Sequence, residues 1–188
     1  MVRTGWFVLL ALGALTLGFT SARSASAQEK GTVVDLDGLK SRAPADWKEE
    51  KVSGTLRHAQ FRLPKVNGDK EDAELVIFRG IGGSAQQNIE RWKSMFVAPE
   101  GKKASDIAKV TELKIGNTPV PYLQICGTYK SRFPPFDPNA KEVLKPNYCM
   151  LAVAYEGKQN PYHIRIVGPE KTVEHYKKGF DDWIKGFK

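Results

Sequence analysis

Beyond about residue 30, apolar and polar residues alternate along most of the chain, and twice the alternation gives way to helical three-to-four spacing. Residues 31–41 form a short polar lead into a strand or turn. Ala43-Pro44-Ala45-Asp46-Trp47 predicts an extended turn, because the residue before a proline is pushed out of the helical region. Over 56–63, Ala59, Phe61 and Leu63 fall on one side and His58, Gln60 and Arg62 on the other, and Pro64 ends the run. The β-rich run at 73–78 predicts a central strand, paired as a hairpin with the one before it.

Gly80 to Gly83 then breaks the pattern. Ser84-Ala85-Gln86-Gln87 has the form of a capping box, and Ile89, Trp92, Met95 and Phe96 make one apolar stripe, closed by Pro99 and Gly101. Strands follow at 107–115 and 120–130, joined by Gly116-Asn117. Residues 131–146 hold Pro134, Pro135, Pro138 and Pro146 and predict a long loop. A second hairpin is expected from 148–155 and 162–167. Gly168-Pro169 opens a last helix, with Val173, Tyr176, Phe180, Trp183, Ile184 and Phe187 on one face. Many strands with few helices predict an α+β domain, an antiparallel β-sheet flanked by helices.

The first 27 residues stand apart from this pattern. Arg3 precedes an almost wholly apolar run at 6–19, and Ala25-Ser26-Ala27 satisfies the small-x-small rule of signal peptidase, so residues 1–27 read as a signal peptide cleaved before Gln28. The apolar run is about 14 residues, roughly 21 Å as a helix, short for a hydrocarbon layer of roughly 30 Å. Cleavage would leave residues 28–188 as one exported domain with no stable membrane span. Its net charge of +6 attracts anionic surfaces, but the cations are scattered among acids, with no basic stripe carrying stacking aromatics, so nucleic acid is not an expected partner.

Export gives the two cysteines meaning. Cys126 and Cys149 are an even pair in an oxidising compartment, which favours a disulfide. Parity opposes it: Cys126 travels with Gln124 and Thr128, Cys149 with Leu151, Val153 and Tyr155. The faces match if the sheet is covered on both sides or a bulge shifts the register. Otherwise the two are separate buried thiols.

Three constellations have the form of chemistry. Gly80-Ile81-Gly82-Gly83-Ser84-Ala85 matches G-x-G-x-x-A, but without a parallel strand-helix-strand unit it reads as a tight strand-to-helix turn. Asp69, Glu71, Asp72 and Glu74 offer oxygen ligands, yet Lys70 interrupts them and the run suits a solvated hairpin turn. His58, His163 and His175 have no His or Cys at metal-ligand spacing, and no hydrolase or redox motif occurs. No catalytic residue, metal or cofactor is therefore implied.

Ala43-Pro44-Ala45-Asp46-Trp47, the 56–64 strand, Glu71-Asp72-Ala73-Glu74-Leu75-Val76-Ile77-Phe78, Asn88-Ile89-Glu90-Arg91-Trp92, Gly127-Thr128-Tyr129, Lys145-Pro146-Asn147-Tyr148 and Phe180-Asp181-Asp182-Trp183 together resemble a group of secreted bacterial proteins of unknown function. More loosely, the layout is similar to the PsbP-like and DcrB-like fold, whose members serve mostly as binding or assembly modules. The resemblance implies an exported periplasmic or extracellular binding module that takes an envelope protein or a small ligand. Phe133 and Phe136, in the expected loop, are the candidate partner-binding residues. The alternative is a metal-dependent or hydrolytic enzyme whose site assembles only in space.

Overall fold

A computed structural model describes Met1 and residues 31–52, 54–132 and 139–188. The leader-like segment, Phe133 and Phe136 lie outside the described residues. The strands are β1 (Val33–Leu36), β2 (Leu39–Arg42), β3 (Lys48–Glu49), β4 (Arg57–Leu63), β5 (Ala73–Arg79), β6 (Phe96–Val97), β7 (Ala108–Ile115), β8 (Thr118–Arg132), β9 (Glu142–Glu156) and β10 (Pro161–Pro169). Helix α1 (Ala85–Ser94) lies between β5 and β6, and α2 (Glu170–Lys185) closes the chain. This is an α+β fold. Its main sheet runs β3-β4-β5-β10-β9-β8-β6, with β7 also on β8, and its pairings are antiparallel.

The inner strands are apolar on both sides because both faces are covered. In β5, Leu75 and Ile77 join the α2-side core, while Phe78 faces the other way. In β9, Cys149, Leu151 and Val153 point to α2, and Met150, Ala152 and Ala154 to α1. Helix α2 buries Val173, Tyr176, Phe180, Trp183 and Ile184 on that sheet, the face its sequence spacing predicts. Full burial of a side chain such as Phe180 stabilises the fold by about 1.5–3 kcal/mol. The β1-β2 hairpin caps the far end of α2: Ser41 Oγ donates to Trp183 O at 2.8 Å, and Lys40 N to Lys188 O at 2.9 Å.

The hairpin is held at its turn by Asp37, whose φ of 53° is left-handed. Its carboxylate accepts from Gln159 N at 2.7 Å, Asn160 N at 3.0 Å and the Tyr162 hydroxyl at 2.8 Å, joining the β1-β2 turn to the β9-β10 turn. Gly168 answers a different need. A Cβ there would stand 2.4 Å from that of Ala73, so β10 and β5 meet at this end only because the side chain is missing.

Two expectations are corrected. Residues 131–146 are not one long loop: β8 continues to Arg132 and β9 begins at Glu142, with Arg132 paired to Glu142. Pro146 fits because β9 pairs β10 only from Tyr148 onward, leaving one side of the strand without a ladder to interrupt. The first helix also stops sooner than its stripe predicts. Met95 is its C-cap, and Phe96 is in β6, opposite Tyr129.

Candidate functional site

The early stop of α1 creates an opening. The helix starts at a capping box, in which Gln87 N donates to Ser84 Oγ at 3.2 Å and Ser84 N to Gln87 Oε1 at 2.8 Å. Gly83, at a φ of 94°, turns the chain into it. Ten residues span about 15 Å, which is too short to shield a sheet this wide. Ile89 and Trp92 pack with Leu123, Ile125, Met150 and Ala152, over β8 and β9. The same face of β10, β5 and β4 is left to Val167, Arg165, His163, Phe78 and Arg57, and they line a cleft of about 560 Å³. That volume lies in the range of small-molecule sites.

Charge in the cleft is unevenly satisfied. Five cationic side chains line it against three carboxylates, and all three carboxylates are already paired. Glu74 holds Arg57 at 2.9 Å, Glu71 holds Lys145 at 2.6 Å, and Asp72 holds Arg62 at 3.1 Å. Tyr148 also donates to Glu71 at 2.6 Å. The Lys145 and Tyr148 hydrogen bonds hold the Glu71 carboxyl below its ordinary range. Arg132 pairs outward with Glu142 at 3.0 Å.

Arg91 and Arg165 remain. Among the described residues neither has a carboxylate within ion-pair distance. Arg91, at the mouth, donates to Asn88 Oδ1 at 2.6 Å. Half-buried Arg165 lies 5.1 Å from the centre of the Phe78 ring and has the Met95 sulfur at 3.6 Å, a weak acceptor. Burial lowers its pKa, and the nearby Arg91 and Arg57 act in the same direction against Tyr129 and Glu74. His163 lies beneath them, 2% exposed, with Trp92 edge-on at 5.5 Å. Among the described residues neither of its ring nitrogens has a hydrogen-bond partner. Burial, then Arg91 and Arg165, push its pKa down to about 4, so the ring is neutral at pH 7.

The residues singled out in the sequence divide: His163, Glu71, Asp72, Glu74 and Ile81 line the cleft, and the rest lie elsewhere. Cys126 and Cys149 are opposite one another in β8 and β9 and form a disulfide. The parity objection fails because the sheet is covered on both sides, which places Cys126 on the α2 face with Tyr122, opposite Cys149 and Val153. Glu170 is close to the two sulfurs, and both sulfurs are committed to each other. The histidines do not converge: His58 Nε2 donates to Asp35 O at 2.8 Å, and His175 is exposed on α2. Of the acidic run, Glu71, Asp72 and Glu74 come together in the cleft lining, each in an ion pair, while Asp69 lies apart and accepts from Thr172 N at 2.8 Å and Thr172 Oγ1 at 2.6 Å at the start of α2. Gly80 to Ala85 connects β5 to α1, and both neighbours of β5 are antiparallel.

Arg57, Arg91, Arg165 and Phe78 were not among the site residues the sequence suggested. One signal for Arg165 was available: it stands between Ile164 and Ile166 in an interior strand, where an unpaired cation is costly.

No protein-family model matches the chain, and no curated protein matches it. A solved structure of a protein of unknown function, PA94 from Pseudomonas aeruginosa, is similar over 82% of this chain and 93% of its own. Its identity is 11% and its TM-score 0.39, too distant a likeness to bear on function.

Proposed function

We propose that this protein is an exported, non-catalytic binding module of the envelope, and that it holds a small ligand in the cleft between α1 and strands β10, β5 and β4. The observation that carries the reading is His163, a buried imidazole with two unpartnered nitrogens beneath a hollow of about 560 Å³. Leaving a buried polar group unsatisfied costs about 1–3 kcal/mol. At the floor of a cleft, a ligand that supplies the missing partner recovers that cost. The charged neighbours of His163 are arginines, which disfavour the imidazolium a general base must become, so binding suits the site better than proton transfer. The leader-like pattern and the bonded cysteines support an oxidising, exported setting. The PsbP-like layout belongs to the same proposal, supported by the antiparallel sheet and the closing amphipathic helix.

The test is native mass spectrometry of the purified protein after incubation with the small-molecule fraction of an envelope extract. Val167→Trp, which fills the cleft from β10, is the control. The expected result is a bound small molecule on the parent protein that is missing from the variant. Equal capture by both, or none by either, refutes the reading.

A further inference from the structure

The lining of the cleft says what kind of molecule it accepts. Its two cations without a carboxylate partner, Arg91 and Arg165, flank His163, whose buried ring nitrogens have no hydrogen-bond partner among the described residues. Every carboxylate in the lining is occupied, so none is left to recognise a cationic ligand. Two spare positive charges match one anionic head group better than a polyanion, which Glu71, Asp72 and Glu74 would repel. Guanidinium groups present a planar fork that complements two oxygens on one atom. The apolar part of the wall is gathered beside Arg165 and His163, where Phe78, Trp92, Met95 and Val167 offer rings, a thioether and a branched chain, while the paired charges, Ser131 and the tyrosines make up most of the rest.

We propose that the cleft binds a small amphipathic carboxylate, its head group on Arg165, Arg91 and His163, its apolar body along Phe78, Met95 and Val167. This rests on the reading of the cleft as a small-ligand site and adds the ligand's chemical class. Arg165 is held ready for the head group, because the Phe78 ring supports its guanidinium while the Met95 sulfur gives it only a weak acceptor. His163 supplies a single ring N–H while neutral, and the carboxylate is the acceptor that this N–H lacks. A head group without an apolar body leaves the Phe78 side of the cleft wet. A body without a charge leaves Arg165 and His163 unsatisfied.

Calorimetric titration of the protein with decanoate, decanol, acetate and decyl phosphate tests this. Decanoate is expected to bind at least 30-fold more tightly than decanol or acetate, and no more weakly than decyl phosphate. Arg165→Met is expected to weaken decanoate at least tenfold while leaving decanol unchanged. Arg165→Lys, which keeps charge but loses the fork, should fall between, and it guards against a folding defect in the first variant. Decanol within threefold of decanoate, with both lost in Val167→Trp, overturns the carboxylate assignment and leaves the ligand site standing. Tighter binding of decyl phosphate also overturns it, in favour of a phosphate head. Binding of none of the four overturns the assignment, and the extract capture then decides whether the cleft binds anything.

Discussion

Reducing the Cys126–Cys149 bond should destabilise the domain by an amount set mainly by chain entropy. The two cysteines are 23 residues apart, and a closed loop of that size removes about 3 kcal/mol of freedom from the unfolded chain. The folded state loses little beyond that, since β8 and β9 remain paired on both sides of the cysteines, from Tyr122 to Ile125 and from Tyr129 to Arg132. For a domain of this size each kcal/mol moves Tm by about 2–4 °C, so a fall of roughly 6–12 °C is expected. Cys126 is exposed, which gives a phosphine reductant access without prior unfolding. Thermal melts with and without reductant are the assay, beside a Cys126→Ala, Cys149→Ala double variant that should melt with the reduced protein. A change under about 2 °C in both arms would refute the entropic account.

Other perturbations test the remaining parts. Burial works against the Asp37 carboxylate, but hydrogen bonds from Gln159, Tyr162 and Asn160 bring its pKa down to about 2. A folded pKa below the unfolded one gives stability that is present above about pH 4 and lost as pH falls toward 2. Asp37→Asn tolerates the same left-handed backbone, and after solvent screening it should cost about 1 kcal/mol at neutral pH and almost nothing at pH 2 by chemical denaturation. His163→Leu should raise stability by about 1–2 kcal/mol, because it removes an unsatisfied buried ring, and should weaken decanoate binding at the same time. The parent's stability should decline as pH falls from 6.5 toward 4, where the unfolded chain protonates this histidine while burial, Arg91 and Arg165 keep it neutral in the fold, and the leucine variant should flatten that decline in melts across the range. Gly168→Ala drives a methyl into Ala73 and should cost about 2–3 kcal/mol in denaturant titration, with a fall below 0.5 kcal/mol speaking against the close strand approach.

The elements that were legible in the sequence are those whose signals are local. The capping box at Ser84, the apolar face of α2 and the two hairpins each follow from residues within one or two turns of each other. Pro146 misled because a proline in sequence reads as an interruption, whereas its cost depends on whether a neighbouring strand needs its N–H. Pro119 and Pro121 are accommodated alike, in the part of β8 that precedes its pairing with β9. Phe96 continued the helical stripe in number, but its place opposite Tyr129 fixed it as strand.

The cleft was less legible still. Alternation through β10 places His163, Arg165 and Val167 on one side, opposite Tyr162, Ile164 and Ile166. That they face an opening rather than a helix depends on where α1 ends across the sheet, and no residue of β10 records that. Arg57 reaches the same place from β4, just before the bulge that offsets Arg57 from Ala59. Ion pairing was invisible for the same reason, since nothing in the sequence says that Glu74 neutralises Arg57 and that Arg165 has no carboxylate at ion-pair distance among the described residues.

The central claim is that ligand enters on the α1 side of the sheet and meets His163. Its most direct test is a nuclear magnetic resonance titration of ring-labelled protein with decanoate. The imidazole nitrogens of His163 and the indole of Trp92 are expected to shift together and saturate at one stoichiometry, while Trp47 and Trp183, buried on the α2 side, stay where they are. Shifts confined to Trp47 and Trp183, or an unmoved His163 at saturation, would contradict it.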